Sequence, residues 1–240
     1  MNVVLLNSTD HDTTINILYA ACRQCYYSGF VGDKYPFSDI PMEKKAALIK
    51  DVINSGHHSI AEHCSFTFAI QNLSRGAAQQ LTRHRIACYS VQSTRYNNME
   101  NVGYFESDVY QKNEEAKRIY EDSVNSAAGC YQKLISLGIP KEDARDILPL
   151  SLNSNLIMTM NCRELIHFIG VRTCKRAQKE IRDLANKILK ICQEHLPEVF
   201  ENIGPKCKQL GYCNEGSRSC HMMPLKEEVF KVYYESTQKE

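Results

Sequence analysis

The feature that most constrains the fold of this chain is a change of hydrophobic period after residue 56. Up to that point, apolar side chains recur at helical spacing behind Pro41, which suits the first turn of a helix. Residues 66–70 then alternate between large apolar and smaller side chains, the pattern of a half-buried strand. Ser74 can cap a second helix that runs into Thr82. This switch of period predicts strands and helices packed together in one fold.

The N-terminal and middle segments predict a strand followed by a helix, and later a long amphipathic helix. Val3–Leu6 is a short apolar strand, and either Asp12 or Thr13 can cap the helix that follows. A helical face runs from about residue 109 to 137, where Gly138 ends it. The expected apolar stripes are Ile17, Ala20, Ala21 and Cys25 in the first helix, and Ala116, Ile119, Tyr120, Val124, Ala127, Tyr131 and Leu134 in the second.

The C-terminal half predicts further helices. Pro140 suits the start of a short one. Asn161 and Glu164 fit a capping box, which explains the asparagine as a helix cap and predicts a helix to about Arg172. A longer helix is expected over residues 177–196. Its core face carries Ile181, Leu184, Ile188 and Ile191.

Size and composition favour one folded unit. The 240 residues are 43% hydrophobic, which is enough to bury a core. We predict a single compact α/β domain over residues 1–240, in which a small sheet is flanked by long helices, with a Cys-containing C-terminal extension from about residue 205. The formal net charge of +1 gives no global basic excess for nucleic-acid binding, so any anion site must be local.

Cysteine content and hydropathy indicate the compartment. Eleven cysteines are scattered through segments whose apolar patterns also predict burial in the core. This distribution suits reduced thiols better than a disulfide framework. No stretch approaches the roughly 18 consecutive apolar residues that span a bilayer, and the N-terminus lacks the pattern of a leader. We therefore expect a cytoplasmic protein without membrane partners or disulfides.

Three arginines within thirteen positions form a dense anion-binding constellation: Arg83-His84-Arg85 and, after seven residues, Ser93-Thr94-Arg95. If the chain is helical from Gln80 to His84, then Gln80 shares a face with Arg83 and His84. If the second triplet is extended, its serine and arginine point the same way. Both arrangements would gather donors on one ligand. The alternative is a solvated basic turn with surface salt bridges.

These two triplets match the RHR-x7-S-x-R signature, and the chain resembles the flavin-dependent thymidylate synthases (ThyX family). The resemblance runs from near the N-terminus to about Arg182 and implies a ThyX-like α/β fold. Other segments that resemble the family are, in chain order, Ala20–Tyr26, Gly56-His57 with Glu62-His63, Ala144-Arg145 before Leu148-Pro149-Leu150, and Asn161-Cys162-Arg163 through Arg172.

The resemblance implies that dUMP is methylated to dTMP with 5,10-methylenetetrahydrofolate as carbon donor and NADPH as reductant through FAD. It also implies a homotetramer with sites shared between subunits. The residues it assigns to FAD are His57, Ser59, Glu62, Arg83, His84, Arg85, Asn161, Arg163 and His167. Those it assigns to dUMP are Gln80, Arg83, Ser93, Arg95, Arg145 and Arg172.

Three positions bear on how far these roles carry over. His167 stands where the family often has Asn, which changes the donor pattern and the possible charge. Ser90 and Val91 stand where some members have Asn and Glu, and Val91 cannot replace a carboxylate. Arg163 and His167 lie one turn apart on the expected helix, whereas Arg172 would point to the opposite side.

The implied chemistry explains why arginines are needed. Carbon 5 of uracil is a poor nucleophile, so catalysis must stabilise negative charge that develops on the ring as it attacks. We assign Arg95 to the pyrimidine ring, and Arg145 and Arg172 to the phosphate, whose oxygens match planar guanidinium forks. Ser93 needs only to hydrogen-bond, since no neighbouring base is evident. The catalytic residues expected are Arg95, Ser93 and Arg172.

The C-terminal segment leaves two other classes open. Cys207, Cys213, Cys220 and His221 are spaced more widely than paired C-x2-C knuckles, so we favour local packing or a clostridial-type family extension over zinc and expect no metal. One alternative is a nonenzymatic nucleotide- or nucleic-acid-binding module that uses the arginine cluster. The other is a zinc-stabilised interaction protein organised by the tail. Bound flavin or bound zinc in the purified protein would distinguish them.

Overall fold

The computed structural model describes the backbone of residues 1–237 and the side chains of residues 1–231. The strands are β1 (Asn2–Ser8), β2 (Ser65–Ser74), β3 (Ala87–Val91) and β4 (Asn153–Asn161). The α-helices are α1 (His11–Gln24), α2 (Met42–Asn54), α3 (Arg75–Leu81), α4 (Glu114–Ser136), α5 (Lys141–Ala144), α6 (Cys162–Arg172), α7 (Lys179–His195), α8 (Pro197–Phe200), α9 (Lys206–Leu210) and α10 (Lys226–Thr237). Short 3-10 helices cover Val31–Asp33, His58–His63, Tyr110–Lys112, Arg145–Ile147 and Gly216–Arg218. Among residues 1–237, no helix combines the length and the apolar character that crossing a membrane requires.

The strands form one sheet in the order β1-β2-β4-β3. The central strands β2 and β4 are antiparallel. The Ser154 hydroxyl donates to the Leu73 carbonyl at 3.0 Å, and the Thr67 and Thr159 hydroxyls lie 2.9 Å apart. Buried and more exposed side chains alternate along β4, so one face of this strand is covered. Because β2 runs directly into α3 and β4 runs directly into α6, each central strand ends at the start of a helix.

The chain divides into two compact units. Unit 1 comprises residues 1–4 and 68–158, and unit 2 comprises residues 5–67 and the chain from residue 159 onward. The boundaries fall inside β1, β2 and β4. A single domain over residues 1–240 stays a prediction.

Unit 1 has its own apolar cluster beneath α4 and α5. Met99, Tyr131, Ala144 and Leu152 are each at most 1% exposed. The Tyr131 hydroxyl also accepts the backbone N–H of Met99 at 3.4 Å. The partly buried residues packed against this cluster are Val102, Tyr104, Leu134, Ile135 and Leu148. The cluster therefore packs the chain around Met99 against α4 and α5.

Unit 2 is helical beyond the ends of its strands. Helix α7 packs against α6 and α8, and α1 packs against α2. The core face of α7 includes Ile181, Leu184 and Ile188, as predicted, whereas Ile191 is only partly buried. Helix α6 buries most of its side chains, which leaves Arg163 and His167 as exposed polar residues on it.

Local signals for strands and helix ends are confirmed at several positions. The Ser74 hydroxyl accepts the N–H of Ala77 at 3.0 Å and caps α3, and the Asn161 side chain caps α6. Gly138 follows α4 with a φ of 81°, a conformation that favours glycine. The predicted strand at Val3–Leu6 lies inside β1, and Pro140 directly precedes α5.

Helix α1 begins earlier than predicted, by two residues relative to Asp12 and three relative to Thr13. Asp10, rather than Asp12 or Thr13, is the N-cap, because its carboxylate accepts the Thr13 N–H at 3.0 Å. The buried face also differs from the expected stripe. The buried residues are Thr14, Ile15, Leu18, Tyr19 and Cys22, whereas Ile17, Ala20 and Ala21 lie at the margin of this face and Cys25 is exposed.

The long helix was also predicted to begin too early. Residues Tyr110–Lys112 form a separate 3-10 turn, and the Asn113 side chain accepts the N–H of Ala116 at 3.1 Å to cap α4. On the predicted stripe, Val124 and Tyr131 are buried, whereas Ile119 is 57% exposed. The amphipathic pattern identified the helix correctly but overestimated how much of its face is buried within the chain.

Candidate active site

The first arginine triplet lies on a loop that follows α3. The Thr82 N–H closes the helix on the Ala78 carbonyl at 3.0 Å, and the His84 N–H bonds to the Leu81 carbonyl at 3.1 Å. The Tyr89 hydroxyl lies 2.9 Å from the Leu81 carbonyl oxygen and 2.8 Å from that of His84. These contacts hold the loop against the end of α3.

The two arginines of this loop face solvent, while the histidine between them is buried. Arg83 and Arg85 are exposed, and His84 is 6% exposed. Neither arginine side chain makes a hydrogen bond or an ion pair with another residue among residues 1–231, whose side chains the structure describes. A basic turn whose arginines are engaged in surface salt bridges is therefore not what this segment forms. Two unneutralised guanidinium groups are available to an anionic ligand.

The proposed helical face of Gln80, Arg83 and His84 is not formed. Helix α3 ends at Leu81, and the chain turns away before it reaches the arginine. The i, i+3 argument that placed these side chains on one face therefore does not hold. Their assignment to a common ligand rests on the family resemblance alone.

The second triplet is a turn rather than an extended segment. The Ser93 hydroxyl accepts the Arg95 N–H at 3.2 Å, and the Ser93 carbonyl accepts the Asn97 N–H at 3.3 Å and its side-chain amide at 2.8 Å. Short side-chain to backbone bonds of this kind replace strand pairing. Thr94 is 3% exposed, whereas Arg95 is exposed. The expected strand-like alternation of Ser93 and Arg95 is therefore wrong.

Arg95 is paired with Glu142 of α5. Its Nε lies 2.8 Å and its Nη2 lies 2.6 Å from the same carboxylate oxygen, and the guanidinium carbon lies 5.4 Å from the centre of the Tyr96 ring. The two charged side chains are 51% and 47% exposed. An ion pair this exposed contributes about 0 to 1 kcal/mol, so a ligand can displace Glu142 at small cost.

Arg145 is held beside the same turn. Its Nη1 donates to the Thr94 hydroxyl at 3.0 Å, and its Nε donates to the Glu142 carbonyl at 3.0 Å. Lys141 donates to the Tyr96 carbonyl at 3.0 Å and ties α5 to the turn a second time. The structure thus gathers three of the residues assigned to dUMP, namely Ser93, Arg95 and Arg145.

Thr94 and Glu142 organise this group, and sequence reasoning gave neither a role. The signal for Thr94 was present, because it is the middle residue of the Ser-Thr-Arg triplet. Glu142 carried no local signal beyond its position in the first turn of α5. Ser90 and Val91 lie at the end of β3 and are exposed, and Val91 offers no polar group there.

Unit 2 carries the other assigned residues around the 3-10 helix His58–His63 and α6. Glu62 forms an ion pair with Arg163, in which both side chains are about half exposed. The Asn161 carboxamide oxygen accepts the Glu164 N–H at 2.8 Å, so the helix-cap interpretation of this residue is confirmed. His57 and Ser59 are exposed at the N-terminal end of the 3-10 helix.

Arg163 and His167 line one cavity of about 230 Å³, as their spacing predicted. His58 lines the same cavity, and its Nε2 donates to the Ile53 carbonyl at 3.2 Å. Burial lowers the pKa of His58, and the nearby positive charge of Arg163 lowers it further. Lys206 adds another cationic side chain to this lining. The cavity is therefore electropositive and suited to an anion.

Arg172 lines a different cavity of about 350 Å³. It ends α6, and burial alone lowers the pKa of its guanidinium. Arg163 and Arg172 therefore line two different cavities although both lie on α6, as the helical spacing predicted.

A small sheet flanked by helices defines an α/β protein, and its exposed, unpaired arginines are available to an anionic ligand. The chain belongs to the thymidylate synthase complementing protein family (Thy1), which matches residues 4–198. The resemblance inferred from the RHR-x7-S-x-R signature is thereby confirmed.

Relatives from several bacteria match along most of their length. The flavin-dependent thymidylate synthase of Nitratidesulfovibrio vulgaris is 42% identical over 227 residues, which cover 90% of this chain and 93% of the relative. That of Geobacter sulfurreducens is 38% identical, with 92% and 94% covered. That of Clostridium tetani is 35% identical, with 85% and 87% covered.

The fold also matches a solved structure. The crystal structure of a UMP/dUMP methylase, PolB, from Streptomyces cacaoi, bound with 5-Br dUMP, has a TM-score of 0.68 and is 24% identical. The match covers 83% of this chain and 93% of that one. At this identity the likeness concerns the fold alone, and it confirms the predicted α/β class.

Proposed function

We propose that this chain is a flavin-dependent thymidylate synthase. It would methylate dUMP to dTMP with 5,10-methylenetetrahydrofolate as carbon donor and NADPH as reductant through FAD. Relatives with that name match over nine-tenths of their length. The structural observation that carries the proposal is the pair of signature arginines, Arg83 and Arg85, which are exposed and pair with none of residues 1–231.

The residues assigned to FAD fit an anionic dinucleotide. Arg83 and Arg85 can donate to a diphosphate without first breaking an ion pair. The electropositive cavity of Arg163 and His167 offers further donors, and Glu62 can exchange its ion pair with Arg163 for a ligand contact. When bound, FAD would carry the reducing equivalents. The residues of this chain would position it and offset its charge.

The residues assigned to dUMP fit a nucleotide monophosphate. Arg145, fixed by Thr94 and by the Glu142 carbonyl, presents a preoriented guanidinium for the phosphate. Arg95 would leave Glu142 and donate to the pyrimidine oxygens, where negative charge develops as carbon 5 attacks. Arg172 would add a second guanidinium for the phosphate. Ligands that exclude water from these charges would strengthen their effect on the reacting ring.

Ser93 supports the site by hydrogen bonding. Its hydroxyl oxygen accepts the Arg95 N–H and thereby shapes the turn that carries the arginine. No histidine or carboxylate hydrogen-bonds to this hydroxyl in the described part of the chain. A serine nucleophile requires such a base. Ser93 is therefore assigned to orienting Arg95 and dUMP.

The assembly and compartment are part of the same proposal. A homotetramer with sites shared between subunits would follow from the family. All eleven cysteines are free, and a reducing cytoplasm would keep them so. Size-exclusion chromatography with light scattering measures the subunit number directly.

Flavin spectroscopy and turnover test the function together. The purified protein is expected to be yellow or to bind added FAD, and NADPH should reduce that flavin at a rate that changes when dUMP is added. Stopped-flow absorbance at the flavin band gives the rate, and chromatography detects dTMP formed from dUMP and methylenetetrahydrofolate. Colourless protein that binds dUMP but not FAD would instead indicate a nonenzymatic nucleotide-binding module.

A further inference from the structure

Lys206, in the C-terminal extension, lines the same cavity of about 230 Å³ as Arg163 and His167. It lies in α9, beyond residue 198, where the match to the family model ends. Gln209, from the same short helix, also lines the cavity. The extension therefore adds polar side chains to a cavity whose residues on α6 were already assigned to a ligand.

The chain around Lys206 is fixed against unit 2. Ile203 is 5% exposed, and Gly204 is buried beside it. The Gln209 side-chain amide donates to the Gly204 carbonyl at 3.0 Å and thereby closes α9 onto the residues that precede it. The backbone of Lys206 thus has a defined place next to the cavity, although its side chain is exposed.

Helix α6 lets α9 come close because it has a glycine where the two helices meet. Gly170 lines the cavity, and a Cβ at this position would lie 3.4 Å from Gln209 Nε2 and 3.9 Å from the Gly204 carbonyl oxygen. A side chain larger than a methyl group would therefore displace the extension. The lining residues of α6 and α9 are held together by this contact.

The charges of the lining leave Lys206 without a neutralising partner. It forms no ion pair with any of residues 1–231, whereas Arg163 is paired with Glu62. Within the described chain, no Asp or Glu side chain lines this cavity. His58 adds little positive charge near neutral pH, because burial lowers its pKa. Lys206 is therefore able to bind an anion before any ion pair breaks.

Lys206 also lines the cavity of about 350 Å³ that contains Arg172. That lining already includes a second guanidinium, from Arg176, and the carboxylate of Glu215. In the smaller cavity, by contrast, the only other lysine or arginine among the described lining residues is Arg163, which is engaged by a carboxylate. The charge of Lys206 therefore changes the smaller cavity more than the larger one.

We propose that Lys206 binds a phosphate group of a diphosphate ligand in the cavity of Arg163 and His167. If the proposed function holds, this ligand is FAD. Pockets that enclose a whole ligand typically measure about 300 to 1,000 Å³, so this smaller cavity suits one part of a dinucleotide. When Glu62 exchanges its ion pair for a ligand contact, Arg163 and Lys206 together match the two negative charges of a diphosphate.

Lys206→Gln tests this contact in the full-length protein. We expect FAD to bind about three- to tenfold more weakly, measured by quenching of flavin fluorescence, because an exposed lysine acts as a screened charge. The difference should shrink as salt is raised. Lys206→Arg keeps the charge and should retain most of the affinity. Lys208→Gln removes an exposed lysine of the same helix that lines neither cavity, so it is the matched control and should bind FAD like the wild type.

ADP separates this inference from the proposed function, since it carries a diphosphate without a flavin. Calorimetry should show the same loss of ADP affinity in Lys206→Gln, with dUMP affinity unchanged. Such a loss in a protein that binds no FAD would support the diphosphate site and contradict the proposed function. The site would be overturned if Lys206→Gln bound FAD and ADP like the wild type, if it lost dUMP affinity instead, if Lys208→Gln showed equal losses, or if the wild type bound neither FAD nor ADP.

Discussion

Arg95 and Glu142 are joined through two guanidinium nitrogens and one carboxylate oxygen, at 2.8 Å and 2.6 Å. The arginine assigned to the pyrimidine is thus occupied before any ligand arrives. The same glutamate accepts from Arg145 through its backbone carbonyl, so one residue of α5 contacts both arginines. Binding of dUMP would have to break the first contact and keep the second.

Glu142→Gln should therefore tighten dUMP binding. The variant keeps the backbone carbonyl that holds Arg145 but removes the charge that competes for Arg95. Since an exposed ion pair contributes about 0 to 1 kcal/mol, the gain is at most about fivefold in dissociation constant. Calorimetry with dUMP at saturating FAD measures it. Glu115→Gln, an exposed position in the first turn of α4, is the control and should change nothing. A tenfold loss of affinity would show instead that Glu142 positions Arg95 for the ligand.

Arg95→Ala should weaken dUMP binding, whereas Arg85→Ala should weaken FAD binding. Arg95→Ala should keep flavin but weaken dUMP binding by about ten- to a hundredfold, as expected for a lost charged hydrogen bond of about 1.5 to 3 kcal/mol. Turnover can fall further if Arg95 interacts more strongly with the developing negative charge than with ground-state uracil. Arg85→Ala should lower FAD retention, and excess FAD should recover part of the activity.

Two measurements separate these variants: FAD content after gel filtration, and dUMP affinity at saturating FAD. The reverse pattern, in which Arg95→Ala loses flavin and Arg85→Ala loses dUMP, would show that the division of the signature between the two ligands is wrong. That result would not contradict the proposed class of enzyme.

The sequence predicted local features of the site well and its tertiary contacts poorly. Caps at Ser74 and Asn161 were predictable because a side chain and a backbone N–H three residues away decide them. The partnership of Arg95 with Glu142 was not, because 47 positions separate the two residues and only the packed fold brings them together. The α1 stripe was wrong because local spacing does not show which side of a partly apolar helix packs against its neighbour α2.

Thr94→Val should weaken dUMP binding through Arg145. The substitution keeps the shape of this buried side chain but removes the hydroxyl that accepts from Arg145 at 3.0 Å. The arginine then loses one of its two fixed contacts, and we expect about a three- to tenfold loss in affinity, the size of one net hydrogen bond. Thr94→Ser restores the hydroxyl and should restore binding. Equal losses in both variants, measured by calorimetry, would mean that the packing of Thr94 matters rather than its hydrogen bond.

Asn161 caps α6 and is also assigned to FAD, and substitutions should distinguish these two roles. Its carboxamide oxygen caps α6 at 2.8 Å, so Asn161→Ala should destabilise the FAD-free protein by about 1 kcal/mol, seen as a lower Tm at fixed protein concentration. Asn161→Asp keeps an oxygen for the Glu164 N–H and should restore that stability. The side-chain amide N–H2 makes no hydrogen bond to residues 1–231, which leaves it available to donate to FAD. Aspartate lacks this donor and adds a negative charge, so Asn161→Asp should still retain less FAD on gel filtration than the unsubstituted protein. Full recovery of both stability and FAD retention in Asn161→Asp would show that Asn161 acts on the flavin only by starting the helix.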